Sequence, residues 1–347
     1  MRILQAMAGG KHGGAEAFFV RLAQAFHRHE DIDQRVLVRR DGVWGGPLRK
    51  SEVDVVKLPF GGLLDFKSKR LFRHQIDEFK PDIVLTWMNR ATKYCPKSSG
   101  NWPFVHAARL GGYYDLKNYQ NCNHLIGNTH DIVTYVVGEG WSPEAAHYLP
   151  NFVSSEKSQA VSRDAHNTPA DVPLVAALGR LHTNKAFDVL LQAIEKVPDA
   201  HLWIAGEGPE RGNLEQLAAR LGIEDRVRFL GWQDDAAAIY AACDVFVCPS
   251  RHEPLGNVVI EAWAQERVVV AARSAGPAAL ITHEETGLLS DVDDPAGLAA
   301  SLGRAINDAE LRTHMIARGR AAYDAQFTEA AVVDQYLAFF NSVAEAR

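Results

Sequence analysis

The sequence predicts an α/β protein built from two doubly wound, mainly parallel sheets. Three observations carry that prediction. Short apolar, β-branched runs alternate with helical stretches, as expected of strands covered on both faces. The alternation lapses across residues 154–172, which are polar and poor in large apolar groups, and then restarts. The length, 347 residues, matches two ordinary domains, each able to bury a core. The organisation read from this is a first half over 1–153, a linker over 154–172, a second half over 173–327 and a last helix over 328–347. Sheets of this kind bind ligands outside the carboxyl ends of their strands, so two such halves facing each other across a cleft are expected to share a ligand there.

The first half opens with a buried-type strand over 2–7, followed by a glycine loop, Gly9-Gly10-Lys11-His12-Gly13-Gly14. Ala15, Phe18, Phe19, Leu22, Ala23 and Phe26 then fall on one stripe at helical spacing. Further strands are predicted over 35–38, 54–58, 82–86, 104–108 and 124–127. In the second half the prediction is strand 174–178, loop 179–185, helix 187–194, strand 201–205, helix 214–221, strand 227–230, helix 236–242 and strand 245–248. A helix starting near Gly256, a strand over 268–272 and a short one over 287–289 follow. Residues 296–347 read as helices with a break near Phe327 and Thr328.

Net charge is −6, unevenly spread: residues 1–152 carry 20 Lys+Arg against 15 Asp+Glu, and residues 153–347 carry 17 against 28. A basic half joined to an acidic half suggests different partners for each. The stretch 60–74 sets Lys67, Lys69, Arg70 and Arg73 among Phe66, Leu71 and Phe72. That pattern suits an anionic membrane surface, and equally a core-facing helix with a basic outer side. An acidic whole without a recognised binding motif excludes nucleic acid. Cys95, Cys122, Cys243 and Cys248 fit no metal or redox spacing and read as reduced thiols. The segment before Gly9 is too short for a signal peptide and no apolar run approaches a membrane span, so a cytoplasmic protein is expected.

The segment Ser250–Glu261 is the most informative. Glu253 and Glu261 have seven residues between them, with Pro254 and Gly256 just inside the first. Glu253 would stand in front of a helix N-terminus and Glu261 about one turn inside it. The free N–H groups and helix dipole between them suit an anion flanked by hydroxyls, such as a nucleotide-sugar diphosphate. A hydrolytic acid/base pair needs carboxylates on both sides of the bond, and two on one loop–helix segment lie on the same side. Arg180 and Lys185, five apart on the loop after the strand at 174–178, can reach two phosphates. Gly13 and Gly14 offer a bare backbone for a phosphate at the first helix, or simply a strand–helix turn. His106 and Arg109 lie at the end of the strand predicted over 104–108, near the expected cleft. Asp291, Asp293 and Asp294 read as helix capping rather than metal ligation, as do Asp234 and Asp235, so no metal site is expected.

These residues resemble those of the retaining, nucleotide-sugar-dependent glycosyltransferases of the GT-B fold, specifically glycosyltransferase family 4. The matching blocks run in order over about 173–300: Gly179-Arg180-Leu181 with Lys185 and Phe187, Ile204–Pro209, Val227–Gly231, Asp244–Ser250, Glu253–Ala262 and Gly287–Leu289. The first half matches only through Gly13-Gly14 and its alternation. The resemblance implies two Rossmann-like domains, an acceptor-binding one over 1–153 and a nucleotide-sugar-binding one over 173–327, with the last helix crossing back onto the first. It implies transfer of a hexosyl unit, with retention, to a saccharide or lipid-linked acceptor of the cell-envelope or lipopolysaccharide kind. The donor is a nucleoside diphosphate sugar, UDP-sugar favoured, and no metal or other cofactor takes part. Glu253 would hold the donor sugar and Glu261 the ribose, while Arg180 and Lys185 neutralise the leaving diphosphate. Backbone near Gly14, Leu255, Gly256, Asn257 and Val258 would help. The base would lie by Gly206, Gly208, Pro209, Leu230 and Trp232, and His106 or Arg109 would touch the sugar. The sequence departs from the family at Ala186, often Gly, and at Ala278 and Ala279, where an acidic residue is common. A nucleotide-sugar epimerase on the same double fold and a nucleotide-sugar-binding protein without turnover are the alternatives. The expected place is the cytoplasm, peripheral on the inner face of the membrane.

Overall fold

The computed structural model describes residues 1–10, 13–62, 65–98 and 102–345, so Lys11 and His12 of the glycine loop and Leu63 and Leu64 of the basic stretch lie outside the described residues. The chain divides into two compact units, Met1–Phe152 with Glu329–Arg347, and Val153–Thr328.

The first unit holds a seven-stranded, all-parallel sheet. Its strands are β1 (Arg2–Met7), β2 (Asp33–Arg39), β3 (Asp54–Leu58), β4 (Ile83–Trp87), β5 (Val105–Leu110), β6 (His124–Gly127) and β7 (Ala146–Tyr148), in the order β3-β2-β1-β4-β5-β6-β7. Every residue of β4 and β5 is buried, which is why both read as near-continuous apolar runs. β7 has only three residues, all half-buried, and its sequence shows no strand alternation. Helices α1 (Gly14–His27), α2 (Gly45–Lys50), α3 (Phe66–Phe79), α4 (Met88–Tyr94) and α5 (His130–Gly138) connect the strands. The predicted stripe on α1 faces the core, where Phe19 meets Trp87 edge-on at 5.3 Å.

The second unit holds a six-stranded parallel sheet: β8 (Leu174–Leu178), β9 (His201–Ala205), β10 (Val227–Gly231), β11 (Val245–Cys248), β12 (Val268–Ala272) and β13 (Leu288–Ser290), in the order β10-β9-β8-β11-β12-β13. Its helices are α6 (Phe187–Glu195), α7 (Arg211–Arg220), α8 (Ala236–Ala242), α9 (Asn257–Ala264), α10 (Ala275–Leu280), α11 (Pro295–Asn307) and α12 (Ala309–Gln326). Asp235 caps α8 through Ala238 N–H, and Asp294 caps α11 through the N–H groups of Ala296 and Gly297, the capping role read from the sequence.

The stretch 154–172 is nearly without regular structure, but it is packed on the second unit rather than strung as a linker. The Arg163 guanidinium donates to Ala242 O at 2.8 Å and to Asp244 Oδ2 at 3.0 Å, and buried Trp203 donates to Thr168 Oγ1 at 2.9 Å. Hydrogen bonding supplies here what the missing apolar side chains do not. After α12 the chain returns to the first unit as α13 (Glu329–Glu345), whose Tyr336 and Phe340 pack edge-on against Phe26 at 5.7 and 6.0 Å.

Candidate active site

In the second sheet the strand order reverses between β8 and β11, and the loops leaving those two strands meet at that point. Such a switch point leaves a crevice at the carboxyl ends of the strands. The loop after β8 carries Arg180, exposed, and Lys185. The Lys185 stem would lie 3.5 Å from a Cβ placed on Gly179, and its Nζ ion-pairs with Glu253 Oε2 from the loop after β11. Glu253 is buried, and its Oε1 accepts the Gly256 N–H at 3.4 Å, so both carboxylate oxygens are committed. Its own carbonyl accepts the Gly276 N–H at 2.7 Å.

The same loop is fixed from two further sides. Arg251 forks onto both carboxylate oxygens of Asp188 at 2.8 and 2.6 Å and reaches Asp293 at 2.5 Å, while His252 N–H donates to Asn184 O at 3.2 Å. Sequence reading passed over Arg251 and Asp188; the only signal was an Arg two residues before Glu253.

Gly256 caps α9 with a left-handed backbone, φ 71°, and a Cβ there would fall 2.8 Å from Leu280 Cδ1. α9 therefore begins directly behind Glu253, with Asn257 and Val258 in its first turn. Glu261, one turn in, accepts a hydrogen bond from the Tyr240 hydroxyl at 3.0 Å. Tyr240 is fully buried, and burial together with the Glu261 charge pushes its hydroxyl well above the usual range. Tyr240 escaped the sequence reading because it looks like one more apolar residue of α8.

The remaining second-unit residues cluster beside this crevice, at the ends of β8, β9 and β10. Gly206 N–H donates to Gly231 O at 2.7 Å, and Leu181 N–H to Glu207 O at 3.0 Å, so the three loops form one hydrogen-bonded edge. A Cβ on Gly206, whose φ is 140°, would lie 1.9 Å from Gly179 O, closer than any atom allows. Gly208, Pro209 and Leu230 line the same edge. Trp232 stands out from it, 74% exposed, with its indole N–H on Asp234 Oδ1. Ala186 takes a left-handed conformation, φ 52°, directly after Lys185, which accounts for the glycine common there; its methyl is fully buried.

The first unit buries the two residues expected at the sugar. His106 is fully buried in β5, with Nε2 at 2.9 Å from Thr86 Oγ1 and Nδ1 at 3.2 Å from Asn121 O. Burial lowers its pKa to about 4, so it is a neutral core histidine. Arg109 is buried as well, with its Nε and Nη1 making no hydrogen bond among the described residues. It is 2% exposed, lies 4.8 Å from the Phe18 ring and 5.2 Å from Trp87, and donates to Asn151 Oδ1 at 2.5 Å. Strand alternation alone did not reveal that every position of β5 faces inward. Gly13 and Gly14 open α1 and are exposed, and Glu16 folds back beside Gly13: its Oε1 accepts the Gly10 N–H at 2.8 Å and its Oε2 would meet a Cβ on Gly13 at 2.2 Å. That carboxylate already answers the positive end of the helix.

Among the described residues no group of three His, Cys, Asp or Glu side chains could hold a metal ion, and no helix is long and apolar enough to cross a membrane.

Comparison with known proteins agrees with this geometry. Residues 158–322 match the sequence profile of the "Glycosyl transferases group 1" family. The chain is similar to the lipopolysaccharide core biosynthesis glycosyltransferases LpsE and LpsD of Rhizobium meliloti (strain 1021). LpsE is 37% identical over 340 residues, covering 96% of this chain and 97% of the relative, and LpsD is 36% identical over 339 residues, covering 96% of both. Among solved structures, Anabaena HepE in complex with UDP superposes with a TM-score of 0.85 at 20% identity, covering 99% of this chain and all of the other.

Proposed function

The chain belongs to the group 1 glycosyl transferases, and from that premise we propose that it moves a hexosyl unit from a nucleoside diphosphate sugar to a saccharide or lipid-linked acceptor. Its fold is GT-B. We further propose retention of configuration, no divalent metal, and a place in lipopolysaccharide core assembly in the cytoplasm, at the inner face of the membrane. The lipopolysaccharide core part follows the names of LpsE and LpsD. UDP-sugars come first among donors because HepE, a fold neighbour, is seen with UDP and with UDP-glucose.

The observation that carries the reading is the meeting of Lys185 and Glu253 in front of α9. The barrier to transfer is charge separation as the diphosphate leaves. Lys185, held by Glu253, and the first N–H groups of α9, from Asn257 and Val258, are fixed donors that would stabilise that charge, and the exposed Arg180 would join them. Glu253 would accept the sugar hydroxyls and Glu261, oriented by Tyr240, the ribose hydroxyls. The scissile bond then lies beside Glu253, with the phosphates between the two glutamates. The base would rest on the edge formed by Gly206, Gly208, Pro209, Leu230 and Trp232, and Leu255 would border the phosphates. Gly13 and Gly14 would take part through their exposed backbone, with the Glu16 carboxylate beside Gly13. No side-chain base stands over the acceptor hydroxyl in this reading, and the departing phosphate takes its proton.

α3 supports the membrane part. Asp65 caps it, Phe72, Ile76 and Phe79 are buried, and the outer side exposes Lys67, Lys69, Arg70 and Arg73 beside Phe66, 76% exposed. An apolar ring among cations suits an anionic lipid surface.

A screen of UDP-, GDP- and ADP-sugars for transfer and donor hydrolysis tests the function, with proton NMR of the product anomer. An axial-to-axial outcome in EDTA is expected. Activity that survives both Lys185→Ala and Glu253→Ala, or strictly requires magnesium, would overturn the assignment. Conversion of the donor without an acceptor would point to an epimerase, and UDP binding without turnover to a binding protein.

A further inference from the structure

The two sheets are built alike, and each reverses its strand order once. In the second unit the reversal lies between β8 and β11, where Lys185 meets Glu253; in the first it lies between β1 and β4. There, within the first unit alone, a pocket of about 340 Å³ opens, lined by Gly9 and Gly10 after β1, Arg39 at the end of β2, and Met88, Asn89 and Arg90 after β4. A crevice at a strand reversal is where doubly wound sheets hold their ligands. Building on the transferase reading, we propose that this pocket seats the acceptor through an anionic group on a sugar, a phosphate or a carboxylate.

The donors of the lining select the ligand class. Among the described residues that line it the ionised side chains are the two arginines, and the nearest carboxylate, Glu16 beneath the floor, is engaged by the Gly10 N–H. Asp41 holds Arg39 from outside the pocket, through Nε at 2.7 Å and Nη2 at 2.8 Å, which fixes the guanidinium and leaves Nη1 uncommitted among the described residues. Arg90 is exposed and makes no ion pair or hydrogen bond among the described residues. Asp41 and the Glu16 carboxylate beneath Gly9 and Gly10 balance the two charges, so what favours an oxyanion is not a net charge but two lining guanidinium groups able to donate to it. A neutral sugar is usually held by carboxylates and amides that accept from its hydroxyls, and only Asn89 offers that here. Its Oδ1 is buried without a hydrogen-bond partner, an acceptor that one hydroxyl would satisfy.

The floor is preformed. Gly10 is pinned from both sides, its N–H on Glu16 Oε1 at 2.8 Å and its carbonyl on the Trp44 indole N–H at 2.9 Å. A Cβ on Gly9 would fall 2.4 Å from that same Glu16 oxygen, so a larger residue there would displace the Glu16 carboxylate. Across the pocket Met88 holds a left-handed backbone, φ 61°, at the point where β4 turns into α4; strain of this kind in a residue with a side chain gathers at binding sites.

The test is a titration of the ¹⁵N-labelled full chain with glucose 6-phosphate, glucuronate and glucose at one ionic strength. The amides of Gly9 and Gly10 and the side-chain amide of Asn89 are the reporters. At least one anionic sugar should shift them at a concentration tenfold or more below that needed for glucose, and whichever responds more strongly identifies phosphate or carboxylate. Arg90→Gln and Arg39→Gln should each weaken the response by about tenfold or more, the usual worth of a hydrogen bond to a charged group. Equal responses to glucose and the anionic sugars, silence to all three, or variants that bind like the parent would overturn the proposal. UDP binding, read in the same samples, keeps the two readings apart. Its loss in the variants would signal misfolding, and its absence in the parent would strike the transferase reading instead.

Discussion

Lys185 and Glu253 form a largely buried ion pair, which makes their substitutions informative in two ways. Lys185→Ala should lower transfer by about 10²–10³, the loss typical of one preorganised donor to a leaving anion. It should also lower stability, because Glu253 is left buried and uncompensated. The double variant Lys185→Met with Glu253→Gln removes both charges and should recover much of the thermal midpoint without recovering activity. Recovery of both would reduce the pair to a structural role. Tyr240→Phe strips the hydroxyl from Glu261 and should weaken UDP binding several-fold while costing stability only ~1 kcal/mol, as one hydrogen bond does; unchanged UDP affinity would disconnect Glu261 from the ribose. His106 acts on stability alone. Its folded pKa, about 4, lies below the usual unfolded value, so above that value both states are neutral and nothing depends on pH. As pH falls toward 4 the unfolded chain takes a proton that the folded chain refuses, and stability drops by about 3 kcal/mol in total. His106→Gln should flatten that part of the thermal midpoint's pH dependence, and an unchanged slope would mean that other groups carry it.

At the scale of elements, strand and helix positions follow from local pattern, whereas loop geometry follows from contacts between loops. β8, β9, β11 and β12 lie where their apolar runs predict, because a strand buried on both faces needs little besides β-branched residues. β7 and the short helices α2 and α10 had no such signal, being too brief for periodicity to register. The break between α11 and α12 at Asp308, which caps α12 through Leu311 N–H, was legible in principle as an acidic cap but is masked by helical pattern on both sides. The edge around Gly206 shows how one position holds several loops. Gly206→Ala sets a methyl against the Gly179 carbonyl, backbone against backbone, and nothing flexible can yield. The loops after β8 and β9 must part, so UDP binding should fall at least tenfold with far-UV circular dichroism unchanged. Parent-like affinity would show that this edge does not hold the nucleotide.

At the scale of the whole molecule, the charge asymmetry read from the sequence becomes a surface on the first unit. α3 brings Lys67, Lys69, Arg70, Arg73 and exposed Phe66 to one side of a helix whose other side is core. Each cation near an anionic bilayer contributes ~1 kcal/mol, so reversing Lys67, Arg70 and Arg73 to Glu should weaken binding to phosphatidylglycerol vesicles by about a hundredfold or more at low salt. Binding that ignores both these changes and added salt would sink the membrane reading. By itself the sequence determined the fold class and, β7 aside, the strands of both sheets, and it singled out the candidate residues of the second half. Periodicity is a local property, and Arg180, Lys185 and Glu253 lie on loops, and Glu261 on a helix, whose spacing is fixed by the strands before them. Only the tertiary structure decided which groups meet. It put His106 and Arg109 in the core, placed Tyr240 under Glu261 and Arg251 on Asp188, and opened a pocket lined by two arginines between the ends of β1 and β4. Burial and long-range pairing depend on how strands are ordered in the sheet, and that order, β1 beside β4 and β8 beside β11, is a property of the folded chain that no local window of residues contains.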